Sequence, residues 1–293
     1  MKSLRHVQLL SFIGCVAVAC AGRGRAFAAE DPPAVAPADA DAKQERKKKL
    51  EDMRRLAEST IVSSLAGKEK APAKLVAEPV LRYDSQFHGI RDATVWVYGD
   101  KGRPLAVQKV EFYRAPYLTG YYYGLASLSD GLIETRWAGD PAWSSTKPGV
   151  EMQALPGGPK AAATPAGRLL QMKDQVRRFS ATRINAGDIR EENRLLSRPI
   201  HRYNDPAAGL QDGAIFAFVA NGSNPDFFLV LELRGPDLAR ATWSYGQSRL
   251  TTGELRLRLD DKVVWSVPWE WVSGRNEYPT YVHFRPTQQE SNR

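Results

Sequence analysis

Cysteine is nearly absent: the 293-residue chain has two, Cys15 and Cys20, and both lie in its first twenty residues. The rest has no thiol, so disulfide staples, a thiolate nucleophile and cysteine metal ligands are excluded there, and stability must come from packing. Histidine is almost as scarce. Beyond the first residues only His88, His201 and His283 occur, and no two stand at ligand spacing. No metal and no cofactor is therefore expected, and no histidine-based triad. The chain also lacks a Gly-x-Ser-x-Gly elbow, a His-Glu-x-x-His helix, a phosphate-binding Gly-x-x-x-x-Gly-Lys loop and a dinucleotide glycine pattern. Its longest uninterrupted apolar run, Leu9 to Ala21, has 13 residues, short of the roughly 20 that span a bilayer. No transmembrane span is expected in the mature chain.

That short run has a meaning of its own. Lys2 and Arg5 precede it, and Ala26-Phe27-Ala28 follows it, the anatomy of a secretory signal over residues 1–28 with cleavage before Ala29. A lipid anchor through Cys20 is the competing reading, because Ala17-Val18-Ala19-Cys20 is a poor version of the pattern ahead of a lipidated cysteine. The protein is expected to be exported, periplasmic or extracellular. Removal of the four basic residues of the signal lowers the net charge from +8 to +4, and the segment from Lys43 to Lys74 alone carries an excess of +5. The remaining body is close to neutral. Nucleic acid is thus a poor partner, while an anionic envelope polymer or lipid headgroups suit the basic segment, whose simpler reading is a solvated helix face.

Residues 29–42 are mainly Ala, Pro and Asp and read as a flexible tether. A helix is predicted from about Asp41, with Leu50, Met53, Leu56, Ile61 and Leu65 at helical spacing and Gly67 as its stop. Short runs rich in Val, Tyr, Trp and Leu follow, predicting strands at 76–83, 94–98, 105–113, 120–128 and 132–137. Residues 138–163, rich in Pro, Gly and Ala, read as a connection. Thr164 is a good cap and Pro165 a good first helical residue, so a second helix with the stripe Leu169, Met172, Val176 and Phe179 is predicted. Strands are then predicted at 195–203, 213–220, 227–234, 239–247, 254–259 and 263–267, with 268–293 as a C-terminal extension. Those at 213–220 and 227–234 are apolar on both faces and should be central; Leu255-Arg256-Leu257-Arg258-Leu259 alternates and should face water on one side.

The two series match each other. At a constant offset of 120, Pro79, Arg82, Tyr83, Gly89 and Asp92 align with Pro199, Arg202, Tyr203, Gly209 and Asp212. Pro104 meets Pro225 and Glu111 meets Glu232 after small drifts. The expected fold is α+β and β-rich: two helix-plus-antiparallel-meander repeats, 43–137 and 164–267, related by a pseudo-twofold and sharing a core. Within each repeat an Arg-Tyr ends one strand and an Asp opens the next. Asp84 or Asn204 should close the turn onto its own backbone, Gly89 or Gly209 should take positive φ, and the Arg and Asp should pair at the base. Because both copies keep it, the motif reads as structural.

The run Pro199 to Val219, with Arg202-Tyr203, Gly209, Asp212-Gly213 and Ala214-Ile215-Phe216-Ala217-Phe218, resembles a family of exported proteins from planctomycete-type bacteria. A helix like Arg168 to Phe179 precedes the run in such proteins, and the resemblance covers roughly residues 50 to 265. It implies export and the repeated unit, and it carries over no activity and no catalytic residue.

Two groups of side chains remain as functional candidates. Tyr121 and Tyr123, with Trp269 and Trp271, put flat rings on or beside strands, where exposed rings stack on sugars. Glu111 and Glu232 stand within apolar strand runs, and a glycosidase-like pair would need two such carboxylates across a cleft. The first group reads as a non-catalytic binding or structural module of the cell envelope, with a polysaccharide or another envelope protein as partner. The second reads as a secreted hydrolase acting on an envelope polysaccharide. No residue is assigned a catalytic role.

Overall fold

Val, Ile, Tyr, Trp and Phe fill a pleated surface best, and where they concentrate the chain is almost wholly strand. The computed structural model describes residues 37–66, 71–115, 118–185, 187–220, 222–270 and 276–286. The signal, both cysteines, the first part of the tether and Trp271 lie outside the described residues.

Helix α1 (Pro37–Glu58) is followed by β1 (Thr60–Ser64), β2 (Leu81–Ser85), β3 (Ile90–Tyr98), β4 (Ala106–Ala115), β5 (Leu118–Ser127), β6 (Ile133–Trp137), β7 (Asp140–Ser144) and β8 (Gln153–Ala154). Helix α2 (Pro165–Val176) is followed by β9 (Phe179–Ile184), β10 (Arg190–Leu195), β11 (His201–Asp205), β12 (Leu210–Val219), β13 (Pro225–Arg234), β14 (Thr242–Arg249), β15 (Glu254–Leu259), β16 (Lys262–Val267), β17 (Asn276–Glu277) and β18 (Tyr281–Phe284). Every described strand pair is antiparallel. The protein is β-rich, with two α-helices among the described residues.

The strands form three sheets. One has the order β17-β18-β5-β4-β3-β2; a second runs β16-β15-β9-β10-β12-β13-β14-β8, with β11 also on β12; the third is β1-β6-β7. Side chains alternate along a strand, and the packing follows that alternation. Val107 and Tyr113 of β4, with Val95 and Val97 of β3, share one apolar cluster with Ile215, Ala217, Phe228 and Val230 of the second sheet. The opposite faces turn to the helices. Trp96, Val110, Tyr123 and Leu125 pack with Met53 and Ala57 of α1; Phe216, Phe218, Phe227 and Leu229 pack with Met172 and Val176 of α2. The order is therefore helix, sheet, sheet, helix, with an apolar layer at each of the three contacts.

Several expectations are met. β12 and β13 are central and buried along almost their whole length. In β15 Leu255, Leu257 and Leu259 are buried while the residues between them are half-buried. Thr164 caps α2, its hydroxyl accepting from the Gly167 amide at 3.1 Å, with Pro165 in the first turn.

Other expectations are corrected. Helix α1 starts at Pro37 rather than Asp41 and stops at Glu58, well before Gly67. The β-branched run Thr60-Ile61-Val62 is stiff at χ1 and favours a strand; it pairs with β6, leaving Ile61 exposed. The expected connection 138–163 contains β7, hydrogen-bonded to β6, and β8 on β14. The expected C-terminal extension supplies β18, which pairs with β5 and completes a sheet. None of the helices in the described residues is long and apolar enough to cross a membrane.

Candidate functional site

At both Arg-Tyr…Asp motifs a short 3-10 turn joins the two strands and ends on a glycine in the left-handed region, Gly89 at φ 72° and Gly209 at φ 73°. Arg82 grips Asp92 with Nε at 2.9 Å and Nη2 at 2.5 Å, and its Nη2 also donates to the Arg46 carbonyl of α1. Arg202 donates to Asp212 at 2.8 Å and to the Pro165 carbonyl of α2, while Arg168 reaches the same Asp212 oxygen at 2.7 Å. Each motif thus binds the base of its turn to a helix. The turns close differently from expectation: Asp205, not Asn204, accepts from the Ala208 amide at 3.4 Å, and Ser85 Oγ meets His88 Nδ1 at 2.8 Å.

The two tyrosines point the other way, between the sheets, and each donates to a buried glutamate. Tyr203 OH lies 2.9 Å from Glu232 and Tyr83 OH 2.6 Å from Glu111; both carboxylates are 0% exposed. Their surroundings differ. Glu232 receives a bidentate fork from Arg103 on the β3–β4 loop, Nε at 2.7 Å and Nη2 at 2.9 Å, and a third bond from Arg234 Nε at 2.6 Å. Burial alone would raise its pKa; the two guanidiniums outweigh burial and hold it below the ordinary carboxylate value.

Among the described residues no arginine pairs with Glu111. The cation there is Lys109, two residues earlier on the same strand and so on the same face, with Nζ at 3.2 Å. Tyr113 OH donates at 3.0 Å, and His283 Nε2 lies at 3.7 Å. Against burial, which pushes its pKa up, Lys109, His283 and Tyr83 keep Glu111 ionised and well below the usual range. Across from it, Asn224 on the β12–β13 loop accepts from Lys109 at 2.7 Å and from Tyr83 at 3.2 Å.

This arrangement leaves a cavity of about 350 Å³ between the two large sheets. Lys109, Glu111, Tyr113 and His283 line it from one side; Arg183, Asn224 and Asp226 line it from the other, with Thr251, Thr252 and Trp269 completing the wall. Its second buried carboxylate, Asp226, has both oxygens engaged, one by Arg183 Nη1 and one by Asn193 Nδ2, each at 2.8 Å. Arg183 Nη2 also reaches Glu191 at 2.9 Å. His88 lines the cavity as well, and burial with Arg183 nearby lowers its pKa, favouring the neutral ring.

A general acid needs a carboxyl kept protonated near neutral pH, whereas Glu111 is fixed as a carboxylate and Asp226 is occupied by an arginine and an amide. Glu111 and Glu232 belong to separate charge clusters.

The aromatic candidates are dispersed. Trp269 is on the cavity wall and 37% exposed. Tyr123 is 2% exposed, packed on Trp137 and Phe284 against α1, and Tyr121 donates to Asp52 of α1. Both point to the sheet face away from the cavity, so they do not form a strip with Trp269. Trp271 lies outside the described residues. His88 and His283, far apart in sequence, come together here, while His201 lies beside Arg202 elsewhere. Among the described residues no three His, Cys, Asp or Glu side chains could hold a metal ion.

Sequence reasoning missed Lys109, Arg183, Asn224 and Asp226. The signal for three of them was the one that exposed Glu111: a charge within or beside an apolar strand run has to find a buried partner. Comparison of the chain with models of protein families, with curated proteins and with solved structures finds no match.

Proposed function

We propose that the protein is an exported, non-catalytic binding module of the cell envelope, built from two helix-plus-meander repeats, and that it holds its ligand in the cavity beside Glu111. The observation that carries this reading is the cavity itself: about 350 Å³ lined by polar groups whose charges are paired with one another. Ligand pockets of folded domains have volumes of about 300–1,000 Å³ and fix the ligand's orientation through a few convergent polar groups.

The repeat reading is supported by equal registers: Arg82 opposes Thr94 and Tyr83 opposes Ala93, as Arg202 opposes Ala214 and Tyr203 opposes Gly213. It is also supported by reciprocal docking. The Gly102 amide of one hairpin tip bonds the Asn204 carbonyl, and Ser223 of the other bonds the Asp84 carbonyl. A pseudo-twofold axis between the sheets would generate one contact from the other. Superposition of an experimental structure on itself at the offset of 120 tests it; Arg202 falling away from Arg82 refutes it.

Export is tested by fractionating cells that express the full chain and determining the N-terminus of the product. A start at Ala29 in the envelope or medium supports the reading; an intact cytoplasmic chain removes it. The binding role is tested by pull-down of the purified protein with envelope polysaccharides and peptidoglycan, with release of reducing ends measured alongside. Saturable binding without cleavage is expected, and cleavage abolished by Glu111→Gln would replace the module with a hydrolase.

A further inference from the structure

We infer that the ligand of the Glu111 cavity is a neutral, hydroxyl-rich group, a sugar residue of an uncharged saccharide, and that the Glu232 position is a closed counterpart which takes none. The inference rests on the binding-module reading and deepens it.

Charge decides the class first. Lys109 is spent on Glu111, and Arg183 is shared between Asp226 and Glu191. Among the described residues of the wall, phosphate, sulfate or a carboxylate would find no lysine or arginine without a carboxylate partner and would meet buried carboxylates. A cationic ligand would have to approach Lys109 and Arg183. Charges of both signs are thus disfavoured, because a charge taken from water into such a site without a partner is strongly unfavourable. A neutral group remains.

Hydrogen bonding then separates polyols from apolar ligands. The wall offers hydroxyls of Thr251 and Thr252, the amides of Asn185 and Asn224, and the rings of His88 and His283. Donors and acceptors are mixed, as sugar hydroxyls, which both give and take, require. Asn185 already gives Nδ2 to Glu191 and Asn224 already takes Lys109 and Tyr83 on Oδ1, so an apolar ligand would fail only the remaining donors and acceptors, which sugar hydroxyls can meet. Trp269, 37% exposed on the cavity wall, adds an aromatic side chain of the kind on which the C–H side of a sugar ring stacks. The volume, near the low end for ligand pockets, admits the end of a saccharide rather than a long stretch of one.

The second position shows what closes such a site. Arg103 precedes Pro104 on one hairpin, and Asn224 precedes Pro225 on the other. Arg103 runs to Glu232 and covers it, so that the smaller cavity of about 200 Å³ beside Arg103 and Arg234 does not reach that carboxylate; the shorter Asn224 stops at Lys109 and leaves the larger cavity open to Glu111. Asn224→Arg should therefore close the open site from within.

The test uses the full chain purified as an exporting host processes it. Probes are neutral tetramers (N-acetylglucosamine, glucan, mannan and galactan), with polygalacturonate and inorganic phosphate as charged probes, in titration calorimetry at low and high salt. One neutral tetramer should bind one per chain, with affinity unchanged by salt. Trp269→Ala should weaken it by about tenfold or more, Asn224→Arg should abolish it, and Tyr121→Phe, on the far face, should leave it intact. Trp269 is partly exposed, so its variant stays informative even if Asn224→Arg fails to fold. Binding of a charged probe alone, lost in Trp269→Ala, overturns the neutral class while keeping the module. Neutral binding unaffected by Trp269→Ala overturns the assigned site. No binding of any probe overturns the inference, and no retention on whole envelope polymers as well overturns the module.

Discussion

Arg103→Ala is the perturbation that best measures how the two halves of the core are held together. The Arg103 side chain is 7% exposed and its partner Glu232 fully buried, and the fork crosses from the β3–β4 loop to strand β13, 129 positions on. Removing one member of a buried pair strands the other charge and costs about 3–5 kcal/mol. Glu232 would keep Arg234 at 2.6 Å and Tyr203 at 2.9 Å, and Arg234 is 41% exposed, so the low end, about 3 kcal/mol, is expected. For a unit of this size each kcal/mol moves Tm by about 2–4 °C, giving a fall of about 6–12 °C in calorimetry or thermal circular dichroism. The pH dependence has a definite sign. Glu232 has a folded pKa below its unfolded value, so the stability it contributes is present above the unfolded carboxylate pKa of about 4.3 and is lost as pH falls through the folded value. The gap between wild type and Arg103→Ala should be widest near neutral pH and shrink in acid, where the stranded carboxyl takes up a proton. Glu232→Leu combined with Arg103→Met should cost less than the sum of the two alone, since no charge is left unpaired. A single-variant loss below about 1 kcal/mol, or a double variant as damaged as the sum, would show that the fork is a surface-like pair and refute the argument.

Three further outcomes follow from local geometry. Gly89→Ala and Gly209→Ala each force a non-glycine residue to φ near 70°, at about 1–2 kcal/mol. The Gly89 variant should lose more in urea melts, because its new methyl would sit 3.0 Å from the Ala115 Cβ. Thr164→Ala removes the α2 cap and should cost about 1 kcal/mol in the same assay, with Thr164→Ser restoring most of it. His201 has its pKa lowered by burial, so the unfolded chain binds the proton more readily and stability should drop as pH falls below about 6.5; His201→Leu should flatten that part of the profile, and an unchanged slope would assign it to other groups.

What could be read in the sequence was local. Thr164-Pro165, the glycines at 89 and 209, and the Arg–Asp pairs ten residues apart are set by the chemistry of a turn or a cap, and each is found as expected. What was misread depended on a distant partner. Ile61 and Leu65 fit helical spacing, yet the segment pairs with β6 some seventy residues on. Tyr281–Phe284 is too short to be recognised alone and becomes a strand because β5 offers an open edge. Of the site, only Glu111 and Trp269 were named in advance. Its remaining members come from the turn after β2, β4, β9, the β12–β13 loop, β13, the β14–β15 loop and β18, and no spacing along the chain links them.

In the repeat reading, the two glutamates also offer an account of how side chains open or close a cavity beside a buried carboxylate. Lys109 lies two residues before Glu111, on the same face of β4, and in the repeat reading Val230 stands in that place before Glu232. With a cation supplied along the strand, the facing hairpin need only present Asn224; with an apolar Val230, it must send Arg103 across. The source of the positive charge thus decides whether space remains beside the carboxylate. The claim can be tested by moving it. Val230→Lys alone should be severely destabilising, because it buries a second cation next to Arg103 within an apolar cluster. Adding Arg103→Asn to it should recover part of that loss, since one cation again faces one carboxylate, although Arg103→Asn alone is itself destabilising. Urea melts of the two single variants and the double give the coupling directly. A double variant that loses the sum of its parts would show that Val230 and Arg103 act independently, and that the open site beside Glu111 does not owe its space to Lys109.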